Sequence, residues 1–269
     1  IRVRACNTGG FCKDAALELR IVDRPPEDGR VRWIPQPGTP QGYMKSRYDL
    51  KGVWDGFTDW SGDIHYETCV GTSPYGCQLL DYSSDGITGL RWGHSGTQLV
   101  LQCGATYHLA VRATNCAGLQ RVVASEGAKL CCDPPSGGLV ELVNGAGEEV
   151  SYVSSVDGLR VRWSGFSEPC SGVRQYTITL RADGNRVLWS ASVGAGNASV
   201  LPIPAALNAR LSHGSHYTLS VRAESRGGHS ADAAQPARVR IVFELPEVGS
   251  LSFDWLEKQT HLALSPPTH

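Results

Sequence analysis

The chain repeats itself at a spacing of about 110 residues, and that period restricts the fold more than any other feature. The run WDGFTDWSGDIHYE begins at Trp54, and WSGFSEPCSGVRQY begins 109 residues later at Trp163. GATYHLAVRATN, from Gly104, returns 110 residues on as GSHYTLSVRAES from Gly214. Tyr107 therefore matches Tyr217, and Ala113 matches Ala223. A third copy opens the chain, where IRVRACNTGG from Ile1 parallels LAVRATNCAG and LSVRAESRGG. A period this long suits one whole domain per repeat rather than a short solenoid unit.

Within each repeat the residue pattern is that of β-strands. LRVRW (Leu159 to Trp163), YTITL (Tyr176 to Leu180), YHLAVRA, YTLSVRA and ARVRIVF (Ala237 to Phe243) alternate apolar with polar or charged residues. Such alternation fits a strand with one buried face. Turn-forming runs separate them: DGITG, GHSG, NTGG, DPPSGG, ADGN and VGAGN. No window carries a helical period, so the expected class is all-β, with two sheets packed face to face.

Composition excludes several functions. Lys plus Arg number 25 and Asp plus Glu 26, so no strong field draws the chain to nucleic acid or to an acidic membrane. A hydrophobic content of 41% argues against disorder over most of the length. No apolar run approaches the ~18 residues that cross a bilayer. There is neither an initiator Met nor a secretory apolar segment, and with the repeat this leads us to expect a segment of a larger protein. Nine cysteines, without paired C-x-x-C knuckles, point to disulfides made in an oxidising compartment rather than to a zinc site.

These residues together resemble the fibronectin type III family, in the variety found in extracellular proteins of algae, other protists and animals. Trp54 and Trp163 stand where that family has its core tryptophan on the second strand. Tyr107 and Tyr217 stand at its tyrosine corner, whose hydroxyl ties back to a loop carbonyl. The resemblance covers roughly residues 1–243 and implies tandem immunoglobulin-like β-sandwiches. We expect 1–23 to be the last hairpin of one module, 24–132 and 133–243 to be complete modules, and 244–269 to be a linker or the start of another. In 244–269, LPEVGSLSF repeats the Pro-then-Gly opening DPPSGGLVE.

The family's strand order gives the cysteines their expected places. Cys6 and Cys12 flank the NTGGF turn, and Cys69 and Cys77 flank VGTSPYG between strands C and C′. Each pair can close a short loop, worth roughly 2 kcal/mol. Cys131 and Cys132 are neighbours at the join of the two modules, and in extended chain their side chains point to opposite faces. One should therefore bond Cys103 in the E–F corner and the other Cys170 in the next B–C loop, in either combination. Such a double bridge would stiffen a string of modules into a rod; the alternative is that each bridge only stabilises its own module. Cys116, in the F–G loop, is left as a free thiol or a bridge to a partner outside the chain.

Asn197-Ala198-Ser199 is a sequon for N-glycosylation in a turn-rich segment. His213 and His216 read as loop filler, because the first copy lacks a matching pair. Arg30, Arg32, Arg160, Arg162, Arg238 and Arg240 read as the wet faces of strands, or else as a strip for acidic glycans. Asp59, Asp63, Glu67 and Glu168 lack a dense calcium-loop pattern and read as hydrogen-bonding groups of the B–C turn. Neither a nucleophile elbow nor a phosphate loop, Arg-Gly-Asp or Trp-Ser-x-Trp-Ser occurs.

The function expected from this reading is non-enzymatic, without a cofactor or metal. It is a structural or adhesive segment of an extracellular, cell-surface or ciliary-surface protein, assembling with other extracellular proteins, matrix or filament partners or copies of itself. One alternative is a receptor ectodomain using Trp60 and Trp92 as exposed aromatics. Another is an accessory region of a secreted carbohydrate-active enzyme.

Overall fold

The computed structural model describes residues 1–18, 20–96, 99–196 and 199–243. The sequon residue Asn197 and the expected further module at 244–269 lie outside the described residues. The chain divides into two compact units. The first is Ile1–Pro134 together with Glu168–Gly172 and Ser225–His229; the second is Pro135–Ser167, Val173–Glu224 and the described residues from Ser230 to Phe243.

The first unit begins with a two-stranded hairpin, β1 (Arg2–Cys6) and β2 (Cys12–Ala16), in which Cys6 faces Cys12. Every residue of both strands is exposed, so almost no apolar burial supports them. A sandwich follows: β3 (Arg30–Trp33), β4 (Tyr43–Met44), β5 (Asp49–Asp55), β6 (Ile64–Gly71), β7 (Leu80–Ser83), β8 (Ile87–Thr88), β9 (Arg91–Ser95), β10 (Thr106–Asn115), β11 (Gln120–Ala124) and β12 (Ala128–Leu130). One sheet has the order β3-β5-β9-β8; the other runs β4-β12-β10-β6-β7, with β11 also on β10. Only the β4–β12 pair is parallel among the described pairs of this unit.

Alternation places the core. Along β5, Leu50, Gly52 and Trp54 are buried while Asp49 and Lys51 are exposed. From the facing sheet, Tyr107, Leu109, Val111 and Ala113 of β10 point inward. Gly52 admits this packing: a Cβ there would stand 2.1 Å from Leu109 Cδ2. The close approach of the two sheets thus depends on a missing side chain.

The second unit repeats the plan with β13 (Leu139–Val143), β14 (Tyr152–Val153), β15 (Arg160–Ser164), β16 (Val173–Ala182), β17 (Val187–Gly194), β18 (Val200–Pro202), β19 (His216–Ser225), β20 (Ser230–Asp232) and β21 (Ala237–Ile241). Its sheets are β13-β15-β18 and β14-β21-β19-β16-β17, with β20 also on β19. Among the described residues, helix is confined to two 3-10 turns, Asp183–Asn185 and Ala205–Arg210. No helix of the described residues is long and apolar enough to cross a membrane.

The repeated Trp-x-Gly-Phe run has one structural job in both sandwiches. Gly56 and Gly165 take φ of 80° and 78°, a left-handed conformation that favours glycine. The turn folds Phe57 over Gly29 and Phe166 over Gly138, where a Cβ would meet the ring at 2.2 and 2.4 Å. Tyr66 then sits 5.5 Å from Trp54 and 5.7 Å from Phe57, between ring centroids. Tyr176 keeps the same relation to Trp163 and Phe166, at 5.4 and 5.5 Å. The motif therefore builds an aromatic triad at one end of each core.

Candidate functional site

The densest chemistry lies in the first unit, around Cys131 and Cys132. Cys103 bonds Cys132, and Cys131 bonds Cys170, each with Cα atoms 5.7 Å apart. The sequence left this combination open, and strand geometry decides it. Leu130 and Cys131 leave β12 buried, with the Cys131 N–H donating to the Met44 carbonyl, while Cys132 is only partly buried at the border of the core. Arg47, a residue that no sequence signal singled out, lays its guanidinium against the outer bridge, with Nε 3.3 Å from Cys132 Sγ.

The loops 168–172 and 225–229 complete the surroundings of the inner bridge. Lys129 Nζ donates to the Cys170 carbonyl at 2.8 Å, and a ring nitrogen of His229 lies 2.9 Å from the Cys131 carbonyl oxygen. Gly227 packs against the bridge, since a Cβ would come within 2.7 Å of Cys131 Cβ. Glu168 is buried and accepts from the Cys170 N–H, the Ser171 N–H and the Ser171 hydroxyl, at 3.1, 2.6 and 2.6 Å. Ser171 Oγ in turn accepts from Gly227 N–H at 2.8 Å. Burial pushes the Glu168 carboxyl up, yet the bonds from Ser171, Cys170 and Gly172 together hold it below its ordinary 4.5. Donor atoms of Cys131, Glu168 and Cys170 lie within 4.8 Å of one another, but both sulfurs are spent in one disulfide, so this group offers no thiolate to a metal.

Two further bridges close short loops: Cys6–Cys12 across the first hairpin, and Cys69–Cys77 beside β6. The second loop presents Tyr75 at φ 62°, with 61% of its surface exposed. Cys116 is an exposed free cysteine.

Trp54 and Trp163 lie in the two cores, 1% and 3% exposed. The Tyr107 hydroxyl accepts from the Gln102 N–H at 2.7 Å and reaches the Gln102 carbonyl at 3.2 Å. The Tyr217 hydroxyl accepts from the Ser212 N–H at 2.8 Å, so the backbone partner described there is an amide.

The remaining candidates separate. Asp59 accepts from Ser61 N–H and hydroxyl and from Asn115 Nδ2, and these bonds hold its carboxyl below the usual range. Glu67 pairs with Arg112 at 2.8 Å. Arg32 pairs with Asp55, and Arg162 with Glu141 at 2.7 Å. Arg160 and Arg162 stand on β15 while Arg238 and Arg240 stand on β21, in different sheets, so the arginines form no single strip. His213 Nδ1 accepts from the Phe243 N–H at 2.9 Å, and His216 is an exposed residue of β19. Trp60 is 60% exposed. Trp92, expected at the surface, is 5% exposed and packs edge-on against Trp33 at 6.3 Å. It is the inward residue of β9, where no matching repeat residue signalled the strand.

No protein-family model matches the chain. No curated protein matches it either. Solved structures do. The chicken CNTN1 FN1–FN3 domains are 17% identical, over 89% of this chain and 76% of that one, with a TM-score of 0.40. The fibronectin(III)-like modules of Clostridium thermocellum CbhA are 12% identical over 82% and 98%, with a TM-score of 0.44. A Ca2+-stabilised adhesin of an Antarctic bacterium is 12% identical over 90% of this chain and 55% of that one, with a TM-score of 0.39. What decides the fold is the pair of sheets itself, found twice: a sheet of four strands in the first unit and three in the second, facing a larger sheet in which the first and last strands in chain order pair parallel.

The two sandwiches are fibronectin type III-like.

Each fibronectin type III-like module carries its aromatic triad and its tyrosine corner. Four disulfides accompany the modules.

Proposed function

We propose that this chain is a semi-rigid, disulfide-braced structural or adhesive segment of a longer extracellular or cell-surface protein, serving protein–protein assembly rather than catalysis. The observation that carries the reading is the pair of adjacent cysteines, Cys131 and Cys132, each committed to its own bridge, to Cys170 and Cys103. Four bridges in one chain need an oxidising compartment. Two of them fix consecutive residues to positions 29 residues back and 39 residues ahead. A segment so cross-linked resists local opening along 103–170, a property useful to a protein that bears tension and of no use to an active site.

The exposed hairpin β1–β2, Arg2 to Ala16, fits the same reading. Its Ile1, Val3 and Ala5 match the inward-facing Leu109, Val111 and Ala113 of β10, so it is the edge of a further module. The partners are other extracellular proteins.

Peptide mapping of the native protein without reductant tests the proposal. The expected products are the disulfide-linked peptides Cys103–Cys132 and Cys131–Cys170. Alkylatable thiols at Cys103 and Cys170 would end it.

A further inference from the structure

Sheet edges expose unpaired N–H and C=O groups, and proteins ordinarily blunt them with charge, proline, bulges or shortness. Most edges of this chain follow that rule. β3 reads RVRW, β13 carries Glu141, and β18 is three residues ending in Pro202. In the first sandwich the edge beside β6 is β7, four residues with Asp81 and a register shift against its neighbour.

The corresponding edge of the second sandwich is different. β17 is eight residues, VLWSASVG, without a charge or a proline. It ends its sheet, bonded on one side only, to β16. Ala195 N–H donates to the Arg174 carbonyl, which fixes the phase of this antiparallel pair. Residues 189, 191 and 193 direct their backbone groups to β16, so Ser190 and Ser192 direct theirs outward. Those outward groups have no backbone partner among the described residues. At the end of the strand the Leu188 carbonyl is taken by Arg210, at 2.6 Å, which limits the open edge to its centre.

We propose that β17 is a homotypic docking edge, pairing antiparallel with β17 of a second copy of this chain across a two-fold axis at Ala191. The strand itself argues for that occupant. Trp189-Ser190-Ala191-Ser192-Val193 has the order apolar, Ser, Ala, Ser, apolar from either end, so it is complementary to its own reverse. In this register Ser190 faces Ser192 of the second copy as a hydrogen-bonded pair, and Ser192 faces Ser190. Four backbone hydrogen bonds result. Trp189 and Val193, half-buried against the core, then meet Val193 and Trp189 of the other copy on the inner face. On the outer face the paired stretch of β17 presents hydroxyls, Ser192 lying 3.2 Å from Thr177 and Ser190 3.4 Å from Thr179. With no charge on the strand, a self-pair meets no repulsion.

The inference deepens the assembly reading by naming a surface and a partner, but it rests on backbone pairing and not on the disulfides. A monomer would therefore overturn the edge and leave the braced segment standing. The whole chain, with Cys116→Ser to prevent thiol dimers, is examined by sedimentation velocity over rising concentration. We expect a reversible monomer–dimer equilibrium. Ser190→Glu with Ser192→Glu, and Ser190→Lys with Ser192→Lys, should each weaken it at least tenfold. An equimolar mixture of the two variants should restore dimers, because each Glu then faces a Lys. Both positions are exposed, and unchanged circular dichroism verifies folding. Ala191→Cys should form an intermolecular disulfide in the Cys116→Ser background, as it stands on the axis. The proposal is overturned by a chain monomeric to about millimolar concentration, by dimers indifferent to the charges, or by failure of the mixed variants to pair.

Discussion

Glu168 shows how a single buried carboxylate can organise a disulfide's surroundings. Its oxygens are saturated by Ser171 and Cys170, and Ser171 passes the chain of bonds on to Gly227 beside Cys131. The folded carboxyl titrates below its ordinary value, so its stabilisation is complete above about pH 4.5 and is lost as the pH falls through the folded value. Urea midpoints measured downward from pH 6 should fall more steeply below pH 4.5 for the parent than for Glu168→Gln. The two tyrosine corners give a second residue-scale test. Tyr107→Phe leaves the Gln102 amide without its acceptor and should cost about 1–3 kcal/mol in urea unfolding. Trp54→Ala, which empties a site 1% exposed, should cost about 3–5 kcal/mol.

At the scale of elements, the β1–β2 hairpin and β17 differ from the other strands because burial explains neither fully. A lone two-stranded hairpin is marginal in water. Here the Arg4–Asp14 pair is exposed and adds little, so the Cys6–Cys12 bridge carries the element. Closing so short a loop is worth roughly 2 kcal/mol on the chain-entropy model. Replacing both cysteines by serine should abolish amide-exchange protection across residues 2–16 while leaving β10 protected, a contrast that hydrogen exchange by mass spectrometry reads directly. In the sandwiches, by contrast, Gly52 and the Trp-x-Gly-Phe turns set how closely the layers pack, and apolar burial supports the strands.

Across the whole molecule, the two long bridges outweigh the short ones because they close longer loops. On the chain-entropy model each is worth about 3–4 kcal/mol. Cys131→Ser with Cys170→Ser, and Cys103→Ser with Cys132→Ser, should each lower the unfolding free energy by about that amount. Limited proteolysis of the first pair should open 168–172 and 225–229 first, since those loops gather around the lost bridge. Cleavage instead at β5 or β10 would show that the bridge supports the core itself.

The amino-acid sequence alone determined the repeat, the strand alternation and the turns, because these are local or periodic properties. An inward residue recurs every second position, and a glycine is needed wherever the backbone takes positive φ. Only the tertiary structure decided which neighbour of Cys131 and Cys132 meets which partner, that Trp92 is buried against Trp33, and that β17 ends its sheet among the described residues. Each of those depends on segments tens of residues apart arriving at one place, and a linear pattern that fixes facing does not fix who stands opposite.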